Sequence, residues 1–288
     1  MGSPTEHSQV FAAGLLRGRV VLVTGGGTGL GRATALELAR CGASVVIAGR
    51  RQDVLEQAAA EIGATAAGEI LTALGDVRER ASAEQLIETA LERCGRLDVL
   101  VNNAGGQFFS PAELIAAKGW RAVWRLNVEG MLNMAEAAFA LAYERAGAGT
   151  IVNVTLSPHH GMPGMAHSGA ARASVEALTR ELAVRWSPAG VSVAAVAAGM
   201  FDTEVMVKYP VSVRAGMSRS VPLQRLGTVA EHAWLVTLLA SPLGRAFSGS
   251  TVTLDGARDN WFGPWPPPGL LDDSGEVPVE ARGETGGA

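Results

Sequence analysis

Short apolar runs alternate with longer amphipathic stretches over most of the chain. The runs are rich in β-branched residues and lack polar–apolar alternation, as expected of strands covered on both faces. They lie at 20–23, 45–48, 98–101, 151–154, 191–194 and 251–254, and a seventh is expected near 69–74. The helical patterns lie at about 29–40, 53–62, 83–93, 118–145, 165–186 and 229–239. This order predicts an α/β fold with a doubly wound parallel sheet of about seven strands and helices on both faces.

One domain accounts for this rhythm. We expect it to span 16–260, after an N-terminal arm at 1–15 and before a Pro/Gly-rich tail at 261–288, which holds 5 Pro and 6 Gly. The segment 199–221 departs from the pattern. Because ligands bind outside the carboxyl ends of such strands, we expect a substrate flap there; a surface excursion is the alternative.

Charge and composition exclude several classes of function. The chain has 24 basic and 28 acidic residues, a net charge of −4 and no long run of either sign, so nucleic acid is not an expected partner. No stretch has the length and apolar character of a membrane span or the pattern of a signal peptide, so we expect a cytoplasmic protein. Cys41 and Cys94 fit reduced packing residues, and the histidines lack the neighbouring ligands of a metal site.

A glycine-rich turn follows the first predicted strand and opens the first helix. Glycines let the backbone approach a pyrophosphate, and the helix amino end offers it unpaired N–H groups. A turn of this composition can also simply close a strand–helix corner. Its position in the first βαβ unit favours a Rossmann-type dinucleotide site, with candidate residues Gly25, Gly27, Thr28, Gly29, Leu30 and Gly31.

The end of the second strand indicates which dinucleotide binds. A protein selective for NAD would carry an acid there for the ribose hydroxyls, but this chain has Arg50 and Arg51. Two guanidinium groups suit a 2′-phosphate, so NADPH/NADP+ is the predicted cofactor; a solvated arginine pair is the alternative. Further cofactor contacts are expected where the next two strands end, at Asp76, Val77, Asn103, Ala104 and Gly105.

Taken together, Thr24-Gly-x-x-x-Gly-x-Gly31, Asp76-Val77 and Asn102-Asn-Ala-Gly105 resemble the short-chain dehydrogenase/reductase superfamily over about 16–256. The stretches 13–16, 102–120 and 167–173 are similar to one branch, the peroxisomal-type trans-2-enoyl-CoA reductases and the 2,4-dienoyl-CoA reductases. The resemblance implies a nicotinamide cofactor, a small-molecule or acyl-thioester substrate, and a homotetramer built through the helices at 118–145 and 165–186.

The chain departs from the superfamily at its catalytic pair. Most members reduce carbonyls with a serine and a Tyr-x-x-x-Lys pair. The tyrosines here are Tyr143 and Tyr209, and neither has a lysine four residues later. The position that the pair usually takes holds Ser168 and Arg172, which lie one helical turn apart on one face. Arg172 is also expected to bind the cofactor by donating hydrogen bonds to its ribose. Tight helix packing by small residues is the alternative explanation.

The resemblance also assigns other candidate residues. Asn127 matches the family's catalytic asparagine, so its amide is expected to hold a water or an oxyanion, or else to kink its helix. Counting back from Ser168 places Thr155 at the family's serine position, whereas counting from Asn153 places Leu156 there. In the segment after the sixth strand the candidates for nicotinamide binding are Gly199, Met200 and Thr203.

Loss of the Tyr–Lys pair bears on the reaction. An alkoxide formed from a ketone needs a proton from a good acid. Serine is a poor acid, and arginine stays protonated and so cannot relay a proton. Hydride addition to the β-carbon of an α,β-unsaturated thioester instead gives an enolate that fixed donors stabilise. The sequence therefore predicts NADPH-dependent reduction of the conjugated C=C bond of an enoyl thioester or a similar carbonyl. The alternatives are an alcohol or ketone oxidoreductase that uses His159, His160 or Tyr209 as donor, and a nucleotide-binding scaffold that has lost catalysis.

Overall fold

The computed structural model describes residues 6–66, 68–157, 159, 161, 164–204, 206, 217–218 and 221–261. At their centre lies a seven-stranded sheet whose pairings are all parallel, in the order β3-β2-β1-β4-β5-β6-β7. The strands are Val20–Thr24 (β1), Ser44–Gly49 (β2), Ile70–Leu74 (β3), Val99–Asn102 (β4), Gly149–Leu156 (β5), Val191–Ala198 (β6) and Thr251–Leu254 (β7). The predicted Rossmann-type sheet is confirmed.

Helices cover both faces of the sheet, and most of them bury apolar residues in one of two core clusters. They are Gly29–Arg40 (α1), Gln52–Gly63 (α2), Arg80–Cys94 (α3), Ala117–Trp124 (α4), Gly130–Ala138 (α5), Glu144–Ala146 (α6), Ala166–Trp186 (α7) and Val229–Ala240 (α8). The core cluster on one face includes residues of α1, α2 and α8, and the cluster on the other includes residues of α3, α5 and α7. Among the helices described, none combines the length and apolar character needed to cross a membrane.

The single helix expected at 118–145 is interrupted by two π-helical segments, Arg125–Glu129 and Phe139–Tyr143. In the first, the side-chain Nδ2 of Asn127 donates to the carbonyl oxygen of Val123 at 2.7 Å. A side chain that takes this carbonyl competes with the regular backbone bond of an α-helix, so the helix widens locally. Periodicity could not show this, because it reports only which side of a helix is apolar.

The chain reverses its direction of travel across the sheet between β1 and β4. It runs outward from β1 to β3 and then returns to pair β4 with the free side of β1. The loops that leave the carboxyl ends of β1 and β4 therefore diverge, and the crevice between them is the usual ligand site of such sheets.

The segment expected to be a flap is only partly described, and two of its apolar residues are packing residues. Phe201 and Met217 are buried, and Phe201 forms a β-bridge with Gly227 and packs edge-on against the ring of His232. Residues 205, 207–216 and 219–220 lie outside the described part, so the proposed flap as a whole stays a prediction.

Candidate active site

The turn between β1 and α1 has the backbone of a phosphate-binding loop. Gly25 and Gly29 have φ angles of +66° and +50°, a region that favours glycine. A Cβ on Gly31 would lie 2.3 Å from the carbonyl oxygen of Gly25, so α1 approaches the turn as closely as only glycine permits. At the N-cap, the side chain of Thr28 makes no capping hydrogen bond. The predicted cofactor residues lie in this turn and in the first turn of α1, namely Gly25, Gly27, Thr28, Gly29, Leu30 and Gly31.

Asn103 fastens the turn after β4 to this glycine turn. Its Nδ2 donates to the carbonyl oxygen of Thr24 at 3.0 Å. The backbone N–H groups of Asn103 and Ala104 both donate to Oγ1 of Thr24, each at 3.0 Å. The polar side chains at the ends of β1 and β4 thus hold the two walls of the crevice in one geometry. This arrangement fits a nicotinamide dinucleotide lying across the strand ends.

Charged groups line the crevice beyond β2 and β3. Arg50 and Arg51 are exposed where β2 ends, and Val77 is buried after β3. Asp76 accepts from Nε of Arg78 at 2.9 Å and from its backbone N–H at 3.1 Å. The Arg78 guanidinium, and more weakly the charge of Arg50, hold the pKa of Asp76 below its usual range. The carboxylate of Asp76 is thus already engaged by Arg78, while the side chains of Arg50 and Arg51 are exposed.

Asn127, a candidate for holding a water or an oxyanion or else for kinking its helix, makes its hydrogen bonds to the backbone. Its Nδ2 donates to the carbonyl oxygens of Gly106, at 2.8 Å, and Val123, at 2.7 Å, while its Oδ1 accepts from the N–H of Gly106 at 3.1 Å. Both amide hydrogens are therefore used on the backbone, and none is free for a water or an oxyanion. In this geometry Asn127 anchors the turn after β4 and belongs to a π-helical segment.

Ser168 and Arg172 lie on one side of α7 and contact the turn after β4 and the strand β5. Oγ of Ser168 donates to Oε1 of Gln107 at 2.8 Å. Nη1 of Arg172 donates to the carbonyl oxygen of Val154 at 2.8 Å, and a Cβ on Gly105 would lie only 2.3 Å from Nη2. Burial lowers the pKa of Arg172 to about 10, so it is a cation at neutral pH. Gly105 is the residue whose missing side chain makes room for this guanidinium.

Thr155 turns towards a second polar group on α7. Its Oγ1 donates to the carbonyl oxygen of Arg172 at 3.1 Å and to Oε1 of Glu176 at 3.3 Å. Nε2 of His159 lies 3.1 Å from the same Glu176 oxygen, and its Nδ1 bonds the carboxylate of Asp259. Burial opposes the charge of His159, but the hydrogen bond to Asp259 and the charges of Glu176 and Asp259 raise its pKa overall.

Several polar residues around Thr155 and His159 were not predicted from the sequence. Ser157 is fully buried, and its hydroxyl donates to Asp255 at the end of β7. Glu176 is buried, which raises its pKa. Its position gave a usable signal, since it follows Arg172 by four residues on the same helix face. The carboxylates that follow β7 carried no such signal, because only the sheet order brings β7 beside β6.

The tyrosines supply no acid in the part of the site that is described. Tyr143 is fully buried, its OH donates to the carbonyl oxygen of Thr150 at 3.4 Å, and burial raises its pKa well above the usual value. Its ring covers Gly149, where a Cβ would lie 2.3 Å from the ring. Tyr209 and His160, the other donors considered for carbonyl chemistry, lie outside the described residues.

The predicted nicotinamide-binding residues follow β6. The N–H of Gly199 donates to the carbonyl oxygen of Leu254 at 3.0 Å, and the carbonyl of Met200 accepts from the N–H of Gly227 at 2.9 Å. These bonds fix the path of the chain as it leaves the sheet. Thr203 and Gly29 line one cavity of about 380 Å³, so the segment after β6 lies beside the glycine turn.

Comparison with known proteins identifies the class. The family model described as short chain dehydrogenase matches residues 19–211. A probable 2,4-dienoyl-CoA reductase of Bacillus subtilis is 36% identical over 253 residues, which cover 86% of this chain and 98% of that protein. A peroxisomal 2,4-dienoyl-CoA reductase of Danio rerio is 33% identical, covering 87% of this chain and 85% of that protein.

A solved structure agrees with this assignment. The citronellol catabolism dehydrogenase AtuB of Pseudomonas aeruginosa PAO1 is 40% identical, with a TM-score of 0.78 over 87% of this chain and 98% of that one. The chain belongs to the short-chain dehydrogenase family, whose members use a nicotinamide cofactor, and it is an oxidoreductase. The resemblance to this family and to its 2,4-dienoyl-CoA reductases is confirmed.

Proposed function

We propose that this protein reduces the conjugated C=C bond of an enoyl thioester, or of a similar α,β-unsaturated carbonyl, with NADPH. One observation carries the proposal: Ser168 and Arg172 stand where the family has its tyrosine and lysine, and Tyr143 is sealed in the core. The described part of the site holds no free phenol, and such a site suits a reaction whose product charge is spread over an enolate. The dienoyl-CoA reductases among its relatives support the same substrate class.

The protein's own groups position the reactants and stabilise charge. A bound nicotinamide cofactor supplies the hydride that adds to the β-carbon. Arg172 holds a permanent cation between Gly105 and Val154, and its Nε has no hydrogen-bond partner in the described part of the chain. A desolvated cation fixed in place stabilises developing negative charge without reorganising. The one hydroxyl hydrogen of Ser168 is donated to Gln107 in this structure, so Ser168 would serve the thioester oxygen only by exchanging that partner.

The choice between NADPH and NADH can be tested at the two arginines that follow β2. We propose that Arg50 and Arg51 bind the 2′-phosphate of NADPH, because both guanidinium groups are exposed beside the crevice. Arg50→Asp should weaken NADPH binding at least tenfold while leaving NADH binding little changed, since each charge-assisted contact contributes about 1.5–3 kcal/mol. Equal losses for both cofactors in calorimetry would argue against a 2′-phosphate site.

The reaction is tested by following NADPH absorbance with matched acceptors. Crotonyl-CoA and 2,4-hexadienoyl-CoA should be reduced, and the saturated ketone 2-hexanone should not. Arg172→Lys keeps the charge but loses the planar donor set, so we expect a lower kcat with little change in KM. Turnover of ketones together with inertness towards every enoyl-CoA would reject the proposal.

A second candidate function is oxidation of an alcohol or reduction of a ketone. It is favoured by the similarity to AtuB, a dehydrogenase of citronellol catabolism, and by the raised pKa of His159 between Glu176 and Asp259. An NADP+-dependent turnover of primary terpenoid alcohols whose pH profile changes in His159→Gln would favour it. An unchanged profile would leave His159 a structural residue.

We further propose a cytoplasmic homotetramer assembled through the helices at 118–145 and 165–186. These helices leave large apolar side chains exposed, namely Trp120, Trp124, Leu141 and Val184. Light scattering on the purified protein should give about four times the chain mass, and Val184→Glu should shift it towards smaller species. A monomer at micromolar concentration would reject the assembly.

A further inference from the structure

The side chain of Glu204 lies on the amino end of α1. The backbone N–H of Gly29 donates to Oε1 of Glu204 at 3.0 Å, and Nη2 of Arg32 lies 2.9 Å from Oε2. The first turn of α1 has no acidic residue of its own. The carboxylate therefore comes from the segment after β6, which is 175 residues away in sequence.

This carboxylate takes a donor that the cofactor's phosphates need. The N–H groups at the start of the first Rossmann helix bind the pyrophosphate in proteins of this architecture, and a single N–H cannot serve two anions at full strength. The helix dipole attracts either anion, so the two compete for the same positive end. Arg32, which follows Gly29 by three residues, is likewise divided between Glu204 and Glu61.

We propose that Glu204 is an internal competitor of the cofactor and thereby sets its affinity. In the free protein the carboxylate satisfies Gly29 and Arg32, and the pyrophosphate must displace it from Gly29 in order to bind. The cost of this displacement weakens cofactor binding and grows as salt is removed, since screening falls. The inference rests on the nicotinamide cofactor of the family and not on the proposed enoyl substrate, so either can fail alone.

The test is calorimetric titration of the free protein, without substrate, with NADP+ and NAD+. Glu204→Gln keeps the size of the side chain and removes its charge, so the preferred cofactor should bind about two- to fivefold more tightly, and more so at low salt. Glu61→Gln is the matched control, because Glu61 pairs with Nη1 of Arg32 at 2.6 Å while the N–H of Gly29 donates to Glu204. Any gain in its cofactor affinity should be smaller than that of Glu204→Gln, because freeing Arg32 from Glu61 leaves the N–H of Gly29 bonded to Glu204.

Fragments of the cofactor locate the effect. ADP-ribose or its 2′-phosphate, which keep the pyrophosphate, should show the same gain in Glu204→Gln, whereas adenosine or its 2′-phosphate should show none. Thermal unfolding of each variant checks that the fold is kept. Unchanged or weaker cofactor binding in Glu204→Gln would overturn the proposal, and so would an equal gain in Glu61→Gln or a gain with adenosine alone.

Discussion

Replacing Gly105 by alanine should displace the cation at the centre of the site. The new Cβ would lie 2.3 Å from Nη2 of Arg172 and 2.9 Å from Oδ1 of Asn127. Non-bonded heavy atoms settle at about 3.5–4.0 Å, so one partner must move by roughly 1 Å. Asn127 is held by three hydrogen bonds, whereas Arg172 meets the new atom with the end of a flexible side chain. The guanidinium is therefore the group that moves, which disturbs its hydrogen bond to the carbonyl oxygen of Val154.

We expect Gly105→Ala to lower the activity of the protein more than its stability. A misplacement of about 1 Å in a reacting site costs on the order of 100-fold in rate, and we expect a loss of that size in kcat. Overpacking costs about 1–3 kcal/mol, and we expect the low end because a side-chain terminus gives way. The measurements are NADPH-coupled kinetics with an enoyl-CoA and urea unfolding.

Gly169→Ala is the matched control on the same helix. Gly169 lies between Ser168 and Arg172, and an added Cβ there meets no atom within 4 Å. We expect unchanged kinetics and a gain of about 0.5–1 kcal/mol in stability, because alanine is the better helix former. Wild-type kcat in Gly105→Ala would show that the position of the Arg172 guanidinium does not matter for the reaction.

Three further predictions concern stability. Burial lowers the pKa of His232 from 6.5 to about 4. Between these pH values the unfolded chain binds a proton that the folded chain does not. The contribution of the neutral His232 to the free energy of unfolding is therefore fully present above pH 6.5 and falls by roughly 3 kcal/mol as the pH drops to about 4. Urea unfolding across this range should show a shallower decline in His232→Leu, and an identical decline would contradict the assignment. Thr228 caps α8 by accepting from the N–H of Glu231 at 3.2 Å, so Thr228→Ala should cost about 1 kcal/mol with kinetics unchanged. Asn127→Ala should cost about 1–3 kcal/mol, because it leaves the backbone of Gly106 and Val123 without partners; wild-type stability with lost activity would instead indicate a direct catalytic contact.

Much of the fold, and the position of the glycine turn, could be predicted from local patterns in the sequence. Runs such as 20–23 and 45–48 are apolar at every position, which is typical of central parallel strands covered on both faces. The alternating order of strands and helices then leaves few possible sheet topologies. The glycine turn was equally readable, because Gly25, Gly29 and Gly31 are required by backbone geometry within eight residues. The missing Tyr–Lys pair needed no structure either, since it is a property of sequence spacing.

Which polar groups meet is set by the packing of the elements in three dimensions. Asn127 matches a catalytic residue by motif, yet its amide donates to the backbone of Gly106 and Val123, because the fold places its helix beside the turn after β4. Glu204 reaches Gly29 across 175 residues, and Asp259 reaches His159 across 100. Such contacts depend on how β6 pairs with β5 and how β7 pairs with β6. Hydrogen bonds and ion pairs act over a few ångströms, and a separation along the sequence does not reveal which residues lie that close.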